Sequence, residues 1–315
     1  MEQINTKIIF YLSSLVLWLL TFLYHNPSIQ PLVGILYLCF VALLFGYWFY
    51  PKQNWFWQII TGLFIVLSTL IISGAALIYT IGLNVQSLQI IFIILNVLPL
   101  LFIKNIELNL PKFQLPKLTI NTILFTLITV LVIVITYLYF TASTAETIFS
   151  PWLILPPYLI LLYAICVFAL LVYILLSKNR KFVFLTSLVF FVSTSLAVII
   201  YKLGYGFDPF IHEVTANIIQ DTGTITPKPL YYLGFYSLII NLKWLTGISI
   251  AILNKWLVPV LFSLILPVFI YYIHKINFTE KKNNFRYLPI LLLILPFSLF
   301  INSTPQALAN LLFII

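Results

Sequence analysis

Gly206-Phe207-Asp208-Pro209-Phe210-Ile211-His212-Glu213 is the stretch that decides how this chain is built. Before it the sequence is one apolar run after another, and here the pattern breaks. Of seven carboxylates in the chain, Asp208, Glu213 and Asp221 fall within fourteen residues, beside one of only three histidines, His212. Asp208 followed by Pro209 marks a helix start, since Asp can cap free amides and Pro fits the first turn. Gly223 suits the C-terminal cap, giving a short helix over 209–221. At about 100° per residue, Phe210, Ile211, Val214 and Ile218 share an apolar arc. His212 and Thr215 continue the line of Asp208, while Glu213, Asn217 and Gln220 point elsewhere. Such a helix lies on a membrane surface and does not cross it.

The rest of the chain supplies the membrane. Its 315 residues are 63% hydrophobic and 7% charged, with a mean hydropathy of +1.13. That composition excludes a soluble globule and requires a polytopic helical protein. The net charge of +9 does not point to nucleic acid, because the Lys and Arg residues occupy short loops between apolar runs. Cys39 and Cys166 lie inside apolar runs without metal-ligand spacing and read as small buried hydrophobes. The N-terminus has no small-residue cleavage site after its first apolar run, so that run is a retained span.

A span takes about 20 apolar residues. By that measure spans fall at 8–24, 31–50, 56–80, 87–103, 120–140, 153–176 and 182–201. If they alternate, Lys7, Lys52, the group Lys104, Lys112 and Lys117, and the group Lys178, Arg180 and Lys181 share one side. Loops 25–30, 81–86 and 141–152 on the other side contain no Lys or Arg. The positive-inside rule then makes the N-terminus cytoplasmic, in a cytoplasmic (plasma) membrane, and brings residue 202 out on the extracytoplasmic face. The connector Thr224-Ile225-Thr226-Pro227-Lys228-Pro229 is extended by its prolines. It leads into Leu230-Tyr231-Tyr232-Leu233-Gly234-Phe235-Tyr236, aromatic-rich like a membrane-interface belt.

Parity sets the topology of the C-terminal third. Lys275, Lys281, Lys282 and Arg286 belong inside, so an odd number of crossings lies between them and residue 202. The run 252–273 is one good span, which leaves 230–249, with Asn241 and Lys243 in it, interfacial or re-entrant. A further span at 287–301 and an outside turn at 302–306 come next. The last run, 307–315, is only about 13 Å of helix against a core about 30 Å thick, so the sequence reads as ending partway through a span. The expected fold is an all-α transmembrane bundle of about 9 to 10 spans.

From about residue 182 onward the chain resembles the start of the core of the GT-C superfamily of integral-membrane glycosyltransferases. Oligosaccharyltransferase catalytic subunits and protein O-mannosyltransferases belong to that superfamily. The resemblance rests on a span leading outward, then Phe207-Asp208-Pro209-Phe210 with His212, similar to the Phe-Asp-Pro-aromatic start of the family's first external loop. The surface helix and the Pro- and Tyr-rich segment after it match the same layout. It divides the chain into a six-span region, 1–177, with no assignable motif, and the start of a GT-C-like core, 178–315. Six preceding spans are unusual for the family, and its later external loop is not present. Asp-Pro-Phe-Ile-His-Glu is neither an Asp-x-Asp nor an adjacent acidic pair, which leaves the subfamily open.

The resemblance implies an enzyme that moves a sugar from a polyprenyl-phosphate donor to a protein or glycan acceptor on the extracytoplasmic face. Asp208 is then the catalytic carboxylate; the plainer reading is a helix cap. His212, one turn on, could share an acceptor or metal site with it, with Mg or Mn as the ion. Hard ions want several oxygens, however, and a solvated interfacial His is the alternative. Glu213 is a substrate contact or part of a solvated face. Lys202, Lys228, Lys243 and Lys255 could meet the donor phosphate or snorkel to headgroups, with Lys228 the best placed of them. Lys228 could equally hold Asp221. Tyr231, Tyr232 and Tyr236 could stack on a sugar or anchor at the interface. Asn302-Ser303-Thr304 fits a glycosylation sequon by pattern alone. The competing class is a transporter, flippase or non-catalytic protein of envelope assembly. A transporter would carry ionisable residues at mid-membrane, and these spans carry almost none.

Overall fold

The computed structural model describes residues 2–23, 26–102, 119–177, 181–228, 230–277, 288–293 and 300–314. Its helices are α1 (Glu2–Leu23), α2 (Gln30–Phe49), α3 (Trp55–Thr80), α4 (Val85–Phe102), α5 (Ile120–Thr141) and α6 (Tyr158–Leu176). They continue with α7 (Lys181–Ile200), α8 (Asp208–Thr222), α9 (Leu230–Thr246), α10 (Ile250–Asn277), α11 (Leu288–Leu291) and α12 (Pro305–Ile314). A single 3-10 turn, Pro151–Leu153, precedes α6. The described residues form no sheet, only one isolated bridge between Thr144 and Tyr201.

Among the described residues, six helices are long and apolar enough to cross a membrane: α2, α3, α5, α6, α7 and residues Ile250–Ile273 of α10. The chain is therefore an all-helical membrane protein. The expected spans at 8–24 and 87–103 fall on helices whose described apolar parts, Tyr11–Thr21 and Val85–Pro99, are shorter than a full crossing. The span expected at 287–301 lies largely outside the described residues, as do Lys104, Lys112, Lys117, Lys178, Arg180, Lys281, Lys282 and Arg286.

The helices pack as two compact units interleaved in sequence. One joins Met1–Lys112 with Phe210–Asn254, the other Phe113–Pro209 with Lys255–Ile315. The boundary at 177/178 drawn from the sequence follows a family layout; this division follows packing.

In the first unit α2 and α3 form an antiparallel pair that glycine makes possible. A Cβ on Gly46 would stand 1.7 Å from the Gln58 carbonyl oxygen, and one on Gly62 would stand 1.7 Å from that of Ala42. Small residues let backbones meet where no hydrophobic force draws helices together in lipid. The pair turns at 50–54, where Gln58 Nε2 donates to Tyr50 O at 3.0 Å and Asn54 Oδ1 caps α3 through Trp57 N. Asn84 and Ser87 cap α4 reciprocally, at 2.8 and 2.9 Å. Asn96 Nδ2 then ties α4 to the Tyr37 hydroxyl of α2 at 2.8 Å.

The helix α9 nests against this pair. Gly34 faces the Leu245 carbonyl oxygen, 2.6 Å from an ideal Cβ, and Gly74 faces Ser237 Oγ, which an ideal Cβ would overlap. Ser237 Oγ donates to Leu70 O at 2.8 Å, and Asn241 Nδ2 donates to Ser237 O at 2.8 Å. Both ends of α9 attach at one end of the bundle. Lys228, just before it, reaches Tyr79 O in the last turn of α3, and Trp244 O near its end accepts from Gln30 at the start of α2. As one uninterrupted 17-residue helix, α9 therefore lies across that end of the α2–α3 pair.

In the second unit α7 is central and buried along most of its length. Phe190 meets Phe262 of α10 at 5.0 Å between centroids, and Phe182 meets Tyr271 edge-on at 5.2 Å. Phe262 also stacks on Phe300 at 4.0 Å. Thr304 caps α12, accepting from Ala307 N at 3.1 Å, with Pro305 as the first helical residue.

Candidate functional site

The chain leaves α7 through a loop shaped by glycine. Gly204 and Gly206 have φ of 119° and 83°, a region L side chains avoid. Three anchors hold the loop. Thr144 N donates to Ile200 O at 2.9 Å, and Lys202 N donates to Thr144 O at 3.0 Å. Lys255 Nζ, from α10, donates to Tyr201 O at 2.8 Å and Lys202 O at 3.1 Å. That ammonium satisfies carbonyls orphaned where α7 ends. Lys255 is thus spoken for, and it fixes the backbone that leads to Asp208.

At the end of the loop stands Asp208, the first residue of α8, with Pro209 second. Its side chain is exposed and has no hydrogen-bond or ion-pair partner among the described residues. Gly206, two residues earlier, packs under the turn 302–304. A Cβ placed on Gly206 would lie 3.2 Å from Asn302 Nδ2 and 3.9 Å from Pro209 Cδ. The amide of Asn302 therefore lies beside the first turn of α8, a neighbour the sequon pattern does not suggest. The next residue, Ser303, is buried and accepts from Val258 N at 2.9 Å. Within this unit the loops 142–150, 201–207 and 302–304 thus meet at one end.

His212 is placed differently. It is 9% exposed, and a 2.9 Å hydrogen bond joins its Nδ1 to the Tyr236 hydroxyl of α9. The rings of Tyr232 and Phe235 stand edge-on to it, at 5.4 and 5.9 Å. The imidazole is packed into an aromatic set and is not the solvated interfacial side chain that helix spacing alone suggests. Glu213 is half-buried. Lys228 donates to Tyr79 O at 2.7 Å and lies over the Tyr79 ring, 5.2 Å from its centroid. Asp221 pairs not with Lys228 but with Gln220, whose Nε2 donates to Asp221 Oδ1 at 3.3 Å. Lys243 donates to Gln220 Oε1. Tyr232 is half-buried, while the side chain of Tyr231 lies outside the described residues.

Among the described residues no three His, Cys, Asp or Glu side chains gather as metal ligands. Mg or Mn at Asp208 would meet a single carboxylate, where such ions take about six oxygens. Asp208 by itself offers one of the one or two carboxylates that hold Mg beside substrate phosphates and water. What the residues here supply is a free carboxylate at a helix start, an amide, and an exposed Lys202. Comparison with family models, with curated proteins and with solved structures finds no match for this chain.

Proposed function

We propose that the protein is a GT-C-like membrane glycosyltransferase that uses a polyprenyl-phosphate-linked sugar on the extracytoplasmic face of the cytoplasmic membrane. One observation carries the reading: Asp208 presents an exposed carboxylate, without a partner among the described residues, on a braced loop straight after a buried helix, where the resembled family keeps its acidic residue. A structural carboxylate would be expected to hold something; this one is available to a substrate.

In the proposed reaction Asp208 accepts the proton of the acceptor nucleophile as that atom attacks the sugar's anomeric carbon. The bond from that carbon to the phosphate oxygen breaks, and the lipid phosphate leaves with the electron pair. The exposed ammonium of Lys202 offsets the charge that develops on the phosphate. Asn302 offers an amide to sugar hydroxyls at the same loop.

The test is release of sugar from radiolabelled polyprenyl-phosphate-sugar by membranes carrying the full chain or Asp208→Asn at matched expression. The expected result is turnover by the wild type and a loss of about 100-fold or more in the variant. Equal turnover in both removes Asp208 from the chemistry. No turnover by the wild type with any donor sinks the enzyme reading.

A further inference from the structure

Lys255 is the one charged side chain in the membrane-crossing stretch Ile250–Ile273. Ionisable side chains are costly at such positions and mark what a membrane protein needs held. On its own helix the ammonium gains nothing, since it stands near the N-terminal end, where the dipole favours anions. Its partners lie on another element. They are the carbonyls of Tyr201 and Lys202, at 2.8 and 3.1 Å, just past the C-terminal end of α7, where the dipole favours a cation. The loop that carries these carbonyls leads to Asp208.

One turn further along α10 is a second grip. Val258 N donates to Ser303 Oγ at 2.9 Å, and both residues are buried. Pro259 prepares that bond, because its ring crowds the Lys255 carbonyl and loosens the helical ladder at this level. Ser303 is flanked by Asn302, whose amide lies beside Gly206, and by Thr304, which caps α12. Lys255 and Val258 are separated by a rise of only about 4.5 Å within one continuous helix. A single turn therefore holds loop 201–207 with a side chain and loop 302–304 with a backbone N–H. Lys255, Val258 and both loops belong to the second unit.

We infer that the turn 255–258 is a clamp that sets the spacing between the Asp208 carboxylate and the Asn302 amide, with Lys255 and Ser303 as positioning residues. This role rests on the glycosyltransferase reading, in which the carboxylate takes the acceptor's proton and the amide meets the sugar. Neither clamp residue touches substrate. They matter because the two reacting groups arrive on separate loops, far apart in sequence. A misplacement of about 1 Å can cost about 100-fold in rate, so the register of those loops has to be held by something stiff. Thr144 steadies loop 201–207 from a third side; α10 is what joins that loop to 302–304.

The experiment uses the full chain with Cys39→Ala and Cys166→Ala, reconstituted in phosphatidylcholine vesicles. Cysteines at 203 and 306, both exposed positions, carry a pair of nitroxides. Their dipolar coupling reports the distance between the two loops without reference to any reaction. The expected result is one narrow distance in this parent and a broadened one in Lys255→Met and in Ser303→Ala. Lys255→Arg should restore the narrow distance, because a guanidinium can donate to the same two carbonyls. With radiolabelled polyprenyl-phosphate-sugar, Lys255→Met and Ser303→Ala should lose about tenfold or more in kcat with KM within about threefold. Lys255→Arg should recover most of that loss. Ser303→Ala removes one buried oxygen and carries the test if Lys255→Met does not fold. Unchanged distances in both variants would overturn the clamp. Broadened distances with undiminished kcat would overturn the positioning role and leave a purely structural brace. No turnover by the wild type would remove the enzyme reading, and the distances alone would then decide for or against the clamp.

Discussion

Asp208 and His212 lie on one line of one helix and have opposite fates. The first is exposed and unpartnered among the described residues; the second is buried and bonded to Tyr236. Their stabilities should differ accordingly. Tyr236→Phe removes the 2.9 Å bond and should cost about 1 kcal/mol, read as a lower melting midpoint of the purified protein in detergent. Asp208→Asn should stay within about 0.5 kcal/mol of the wild type, so any loss of turnover in it is chemical and not a folding defect. The angular relation of the two residues was legible in the sequence, because helix periodicity is local. The partner was not. Tyr236 is 24 residues away across a turn, and nothing in the spacing selects it from the neighbouring tyrosines. The same holds for Lys228, drawn to the end of α3 by Tyr79, and for Asn302, whose sequon pattern conceals its place beside Gly206.

At the scale of elements, the bounds of α8 could be read closely, since Asp-Pro opens it and Gly223, with φ of 79°, closes it. The seating of α9 could not, because it depends on Gly34 and Gly74, glycines of helices far away in sequence. Such contacts are intolerant of side chains. Gly62→Val forces a branched side chain into the Ala42 backbone and should destabilise by about 3 kcal/mol or more, seen as loss of the monodisperse peak in size exclusion. Ile72→Val, at a position 70% exposed on the same helix, should leave that peak unchanged. The loop before α8 has its own glycine constraint. Gly206→Ala meets a left-handed φ, which costs about 1–2 kcal/mol, as well as the Asn302 amide. On the proposed reading it should cut turnover about tenfold or more by shifting Asp208, beyond the fall of a few degrees in melting midpoint that the strain itself brings. Unchanged turnover would show that the loop need not hold the carboxylate.

For the whole molecule, apolar run length and loop charge are sums over many residues, and this is why membrane character was the firmest reading. Span number is not such a sum, because it turns on single helices such as α1 and α4, whose described apolar parts are shorter than a full crossing. Sidedness gives a prediction that joins the two kinds of argument. In the second unit, bonds among Thr144, Ile200, Lys202 and Lys255, and the approach of Asn302 to Gly206, gather three loops at one end. In the first unit, Gln30, Tyr79 and Gly223 mark one end, and the turn at Lys52 marks the other. On loop charge the Lys52 turn is expected in the cytoplasm, and the Lys- and Arg-free loop 141–152 of the second unit outside. Single cysteines at Ala145, Leu203 and Gln306 should therefore react together with an impermeant maleimide added to intact cells, as should those at Ser28 and Thr226. A cysteine at Gln53 should react only after permeabilisation. Opposite behaviour of Leu203 and Gln306 would break the packing of the second unit, while all sites reacting in reverse would keep the packing and invert the chain. In that inverted case Asp208 would face the cytoplasm, where an acceptor outside the cell cannot reach it, and the proposed reaction would fall with the orientation.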